Sequence, residues 1–157
     1  LLQSAVIAQT EKQFVIDCIH EAGQTSGIME NYSIVLQSGR YRMEATGKIE
    51  KGARGSKSHQ TSRALTFDAK QTASILPKLL IDENDVEASH ATTIGQMDEN
   101  QMYYLQSRGL SEDEAIRLVT IGYLLPIVRV SEDPDLQKAL AQEIETKVNE
   151  VCLTSSK

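Results

Sequence analysis

Arg40-Tyr41-Arg42-Met43-Glu44-Ala45-Thr46 is the stretch that decides how the first half of this chain folds. Tyr41, Met43 and Ala45 fall on one side, and Arg42 and Glu44 on the other. That period of two belongs to a strand with one buried face. Outward from it, Ala5–Ala8, Phe14–Ile19, Tyr32–Leu36, Ala64–Phe67, Ser74–Ile81 and Val86–Ala91 are further short runs rich in β-branched residues. Gly, Asn, Asp and Ser punctuate them, and no helical period competes. Many short strands with little helix between them predict a sandwich, a barrel or a β-solenoid. The pattern leaves those three open. No strict repeat of residue identity is present, so a solenoid would be an irregular one.

The character changes near Gly95, which predicts a β unit over residues 1–95 and a helical unit over 96–157. Three helices follow, each with start and stop signals. The first opens at Asp98, with Gln101 three residues on, carries Met102 and Leu105, and stops at Gly109. The second opens at Ser111, with Glu114 at the third position and an acidic first turn. Its apolar face reads Ala115, Leu118, Val119, Gly122 and Leu125, and Pro126 ends it. The third opens at Asp133-Pro134 and carries Leu136, Leu140, Ile144, Val148 and Val151 in one stripe. By spacing alone, all three stripes are expected to be core.

The composition of the 157 residues fits a packed domain: 40 % are hydrophobic and 4 % aromatic, with no Trp. The formal net charge of −6 argues against a general nucleic-acid surface, which needs clustered cations. Arg40, Arg42, Lys48, Lys51, Arg54 and Lys57 lie close in sequence and are expected to form a solvated strand face and loop. Cys18 and Cys152 are far apart, with neither zinc spacing nor a disulfide framework, so a reducing, cytoplasmic compartment is the simpler expectation. No stretch approaches the length of a membrane span, and no membrane contact is expected. The chain opens on Leu1-Leu2-Gln3 without Met, inside strand-like sequence, as a piece of a longer protein would.

Catalytic signals are weak. Ser26-Gly27 and Ser38-Gly39 lack the flanks of a nucleophile elbow. Gly52-Ala53-Arg54-Gly55-Ser56-Lys57-Ser58 lacks the spacer of a phosphate loop, so a turn is expected there. No carboxylate pair stands out. Of the three histidines, His20, His59 and His90, the last draws notice. Strand alternation puts Val86, Ala88 and His90 on one face, where a histidine must be hydrogen-bonded or ligate something. Pattern alone favours a satisfied core histidine.

The segment from Val86 to Tyr123 carries a resemblance. Ser89-His90-Ala91-Thr92, then Asp98-Glu99-Asn100-Gln101, Tyr104-Leu105, Gln106-Ser107-Arg108-Gly109 and Glu114-Ala115 are similar to the SufB/SufD family of iron–sulfur cluster assembly. Ser38 to Ile49 resembles the strand rung that precedes this stretch, and the likeness runs from about Ser4 to about Val151. The resemblance implies the C-terminal part of a family member: rungs of a right-handed parallel β-helix followed by a small helical domain. It implies pairing with a SufB-like subunit through the β-helix and docking of the ABC-type ATPase SufC through the helices, at Leu118, Gly122, Leu125, Leu136, Leu140 and Ile144. In the partner's absence, self-pairing into a homodimer is the alternative. A transient iron–sulfur cluster shared with the partner is implied, and a reduced flavin is associated with the family's full complex. SufB-type members place a scaffold cysteine where this chain has Thr61, which cannot supply a thiolate. The likeness is therefore to the SufD type, a non-catalytic subunit. In that reading His90 is a candidate iron or cluster ligand at the subunit interface, with further ligands supplied by the other subunit. The rivals are a pure interaction module with no metal contact and a β-helix enzyme acting on carbohydrate. The latter would need an acidic cluster on one face, and none is evident.

Overall fold

The computed structural model describes residues 1–153, apart from the side chain of Leu153. Seven strands come first: β1 (Leu2–Ala8), β2 (Glu11–His20), β3 (Ser26–Val35), β4 (Arg40–Ile49), β5 (Lys57–Thr66), β6 (Thr72–Ile81) and β7 (Glu87–Gln96). Odd-numbered strands form one parallel sheet in the order β1-β3-β5-β7, and even-numbered strands form a second in the order β2-β4-β6. The chain therefore winds alternately through two facing sheets, a parallel β-solenoid of about three turns. This decides among the three all-β architectures that the pattern left open.

Successive turns stack in register about thirty residues apart. Ser26 stands beside Lys57, which stands beside Glu87. What repeats down each column is the direction of the side chain. Met29, Gln60 and His90 share one inward column, and Ser4, Asn31, Ser62 and Thr92 another. The second column is hydrogen-bonded, Ser4 Oγ to Asn31 Oδ1 at 2.7 Å and Asn31 Nδ2 to Ser62 Oγ at 3.1 Å. Such pairing is what lets amides and hydroxyls lie between the sheets. The apolar interior is built from Ala8, Val35, Tyr41, Met43 and Ala45. Tyr41, Met43 and Ala45 thus face inward and Arg42 outward, as the alternation requires. Inside, the Tyr41 hydroxyl donates to Met43 Sδ at 3.1 Å, and burial pushes its pKa up to about 12.

Three α-helices follow: α1 (Glu99–Ser107), α2 (Glu112–Leu124) and, after a 3-10 turn over Leu125–Val130, α3 (Pro134–Leu153). Their starts match the sequence signals. Asp98 accepts from the amides of Asn100 and Gln101. Ser111 and Glu114 form a reciprocal capping box, and the Asp133 carboxylate accepts from the Asp135 amide at 2.9 Å. Gly109, at φ +99°, stops α1 in the left-handed conformation that glycine tolerates.

The helices cover part of the outer face of the first sheet. Tyr32, Ile34 and Leu36 point away from the solenoid interior and pack on Leu124, Val148 and Cys152, with Ile116, Ile121, Tyr123 and Ile144 around them. Burying an aliphatic side chain of this size contributes about 1.5–3 kcal/mol. This shared layer is why β3 is buried on both faces over its last four residues. It also corrects one expectation. On α2 the buried residues are Ala115, Thr120 and Leu124, whereas Leu118, Gly122 and Leu125 are exposed. The α3 stripe divides in the same way: Ile144, Val148 and Val151 pack into the shared layer while Leu136 stays exposed.

Candidate functional site at the open end of the solenoid

The last turn leaves one end of the solenoid uncovered. Among the described residues, β7 pairs only with β5 and β6 only with β4, so each presents a free backbone edge there. On β7 the inward positions are Ala88, His90, Thr92 and Ile94, continuing the columns of Ser58, Gln60, Ser62 and Ala64. The β5 members of those columns are all buried, whereas His90, Thr92 and Ile94 are exposed, because no further rung lies over them. On β6, Pro77 and Leu79 are half-buried and Ile81 is exposed at the same end. The result is a mouth with an apolar second-sheet side and a histidine on its first-sheet side.

His90 is therefore not the satisfied core histidine that pattern alone favours. Its alternation was legible, but the absence of a covering rung was not. Directly behind it in the column is Gln60, only 3 % exposed. Thr61 lies beside Ala91, and its side chain points out of the other face of the sheet. The structure thus brings His90 to Gln60 and separates it from Thr61. Among the described residues, no group of three or more His, Cys, Asp or Glu side chains is placed to hold a metal ion. His90 itself presents an exposed imidazole at the mouth.

The other histidines are otherwise engaged. His20 is buried, with Nδ1 2.7 Å from Thr25 Oγ1. Its Nε2 lies 3.8 Å from Cys18 Sγ, and both pack so closely on Gly27 that a Cβ there would sit 2.7 Å from the sulfur. On the outer face, His59 Nδ1 lies 2.7 Å from Ser89 Oγ.

Four of the six cations of the basic run, Arg42, Lys48, Arg54 and Lys57, are in ion pairs. Arg42 and Lys78 both bind Glu44, Lys48 binds Glu50, Arg54 binds Asp85 and Lys57 binds Glu87. The two hydrogen bonds from Lys78 and Arg42 hold the Glu44 carboxyl below the usual carboxylate range. Within the Gly52–Ser58 segment, residues 52–56 lie in the turn between β4 and β5 and Lys57 and Ser58 open β5; the Gly52 amide donates to the Glu83 carboxylate at 3.0 Å. Neither expectation of a bland role is disturbed.

On the helices, Leu118 is 54 % exposed, and Leu125 and Leu136 are also exposed. Leu140 and Ile144 are half-buried and line an apolar groove of about 680 Å³ between β1 and α3. Spacing alone did not find Gln60, whose partner is visible only once the thirty-residue register is known. Nor did it find the exposed Tyr103 and Tyr104 on α1.

A family model described as SUF system FeS cluster assembly, SufBD core domain, matches residues 2–123. The chain belongs to the SufB/SufD family. It is 39 % identical over 140 residues to the iron–sulfur cluster assembly protein SufD of Bacillus subtilis (strain 168), covering 89 % of this chain and 32 % of that protein. The SufB protein of the same organism is 29 % identical over 111 residues, covering 71 % of this chain and 24 % of that protein. A SufBD family protein of Mycobacterium tuberculosis (strain ATCC 25618 / H37Rv) is 36 % identical over 111 residues, 71 % of this chain and 13 % of that protein. The chain thus spans about a third or less of the length of these relatives. Identity is higher to the SufD relative than to the SufB relative. Among the described residues no helix is long and apolar enough to cross a membrane.

Proposed function

We propose that this chain is the closing part of a SufD-like scaffold subunit, which pairs with a SufB-like subunit through the open solenoid end and docks the ATPase SufC through its helices. The observation that carries the proposal is the mouth at β6 and β7. Two unpaired edges and the exposed inward residues His90, Thr92 and Ile94 form a surface that a second solenoid end can cover. His90 then supplies one imidazole to an iron ion or nascent cluster shared with the partner, and the cluster is cargo. The subunit itself is non-catalytic and works in the cytoplasm. Without the partner, the same mouth pairs with a second copy.

Docking of SufC uses Leu118, Gly122, Leu125 and Leu136, which the fold leaves exposed, together with the half-buried Leu140 and Ile144. A flavin does not fit the residues present. The groove between β1 and α3 is lined by a single cation, Lys147, already paired with Glu150. We therefore assign no flavin step to this chain.

The test is anaerobic reconstitution of the full chain with SufB and SufC, read by cluster absorbance and Mössbauer spectroscopy. His90→Ala is expected to abolish stable cluster formation while leaving the assembly intact. Normal cluster maturation with His90→Ala would leave the interaction-module reading, in which the mouth only joins subunits. Leu118→Asp is expected to lose SufC in pull-downs, and undiminished capture would overturn the docking face.

A further inference from the structure

An unpaired acceptor lies directly behind His90. The Gln60 amide reaches across the interior, and its Nε2 donates to the main-chain carbonyl of Lys78 at 2.7 Å. A carbonyl can only accept, so this contact fixes which end of the amide is nitrogen. Oε1 is then buried and has no hydrogen-bond partner. A buried acceptor left bare is costly and calls for a donor. Gln60 and His90 are register partners on adjacent strands with side chains on the same face. Adjacent strands run about 4.8 Å apart, within reach of a glutamine and an imidazole. Ser58, two residues along the same face, offers a rival donor, since its buried hydroxyl is also unpartnered.

We propose that Gln60 is the positioning residue of His90. Its Oε1 accepts the N–H of one imidazole nitrogen, which fixes the neutral tautomer and the ring plane. The other nitrogen then carries its lone pair out through the mouth. A histidine ligand is ordinarily held by such a carbonyl on its far nitrogen. The device rests on the ligand role given to His90 above, but it is measurable without cargo.

The experiment is nitrogen NMR of the full chain labelled at histidine, under mildly alkaline conditions, with His20 and His59 assigned by substitution. In the native protein His90 is expected to show one predominant tautomer. Gln60→Met removes the acceptor and is expected to give a mixture. Gln60→Asn, which withdraws the amide by one methylene, does the same should the Met variant fail to fold. Gln60→Glu retains an acceptor and a single tautomer, and Ser58→Ala changes nothing. A His90 signal unmoved by loss of the Gln60 acceptor, or scrambled by Ser58→Ala alone, overturns the proposal. Reconstitution with SufB and SufC separates the two claims. Gln60→Met is expected to weaken cluster retention on the order of tenfold, where His90→Ala abolishes it. A tautomer that shifts while His90→Ala still matures clusters keeps the positioning and removes the ligand role. The reverse pattern keeps the ligand role and removes the positioning.

Discussion

Leu118 and Leu124 lie on the same helix, and the sequence and the structure disagree about which of them is core. Spacing puts Leu118 in the apolar stripe of α2. The fold buries Leu124 to 2 % exposure, against Tyr32, Ile34, Leu36 and Val148, and leaves Leu118 at 54 %. Truncating Leu124 to alanine removes buried methyl groups and opens a cavity between helix and sheet, two rigid elements that cannot easily collapse. Such changes cost about 2–5 kcal/mol. At a urea dependence of about 2 kcal/mol per molar, a loss near 3 kcal/mol lowers the midpoint by about 1.5 M. Leu118→Ala removes atoms that already meet water and is expected to cost under about 0.5 kcal/mol, a midpoint shift of about 0.2 M. Urea titration of both variants in the full chain, followed by circular dichroism, reads the difference directly. Equal losses, or a larger loss for Leu118→Ala, would mean that α2 presents its other face to the sheet. That outcome would also remove Leu118 from the proposed docking surface.

Three other perturbations test the fold. Gly39→Ala places a Cβ 2.1 Å from the Ala8 carbonyl oxygen, which the Leu36 amide already holds at 2.9 Å. Main chain on both sides cannot retreat, so we expect a loss near 3 kcal/mol, and a midpoint within error of the native protein in urea would show the corner to be looser. Tyr41 has its pKa raised by burial from 10.0 to about 12. The folded state therefore prefers the neutral phenol, and the stabilisation is intact below pH 10 and falls away as pH rises from 10 towards 12. Tyr41→Phe is expected to flatten that alkaline limb in denaturant titrations, and an unchanged limb would count against the buried phenol. Burial, aided by Asp113, also raises the Cys152 thiol. Alkylation of Cys152 is expected only on unfolding, and mass spectrometry showing ready labelling in the native protein would place it outside the shared layer.

What was legible in the sequence was whatever depends on neighbours along the chain. Tyr41, Met43 and Ala45 alternate, Ser111 and Glu114 cap, and Gly109 stops a helix, all within a few residues of each other. The solenoid was not legible from pattern, because its repeat conserves direction and not identity. Met29, Gln60 and His90 have little in common except the side of the sheet they face. The same limit explains α2. Contact with the sheet fully buries Ala115, Thr120 and Leu124 and half-buries Ile116, Ile121 and Tyr123, so a threonine can be core while Leu118 and Gly122 of the same helix are not.

The candidate site depends on a different kind of information again. His90 differs from Met29 and Gln60 because the column ends with it, and no residue near it in sequence encodes that ending. Stacked rungs satisfy one another's edges and bury one another's inward side chains. At the last rung both services stop at once, so free backbone groups, exposed apolar residues and an unpaired glutamine oxygen collect in one place. Each of these is a liability for an isolated chain. A partner solenoid end that pairs the edges and covers Ile94, together with a donor from His90 to Gln60, would relieve all three. The open mouth therefore argues for association on energetic grounds that stand apart from the family resemblance.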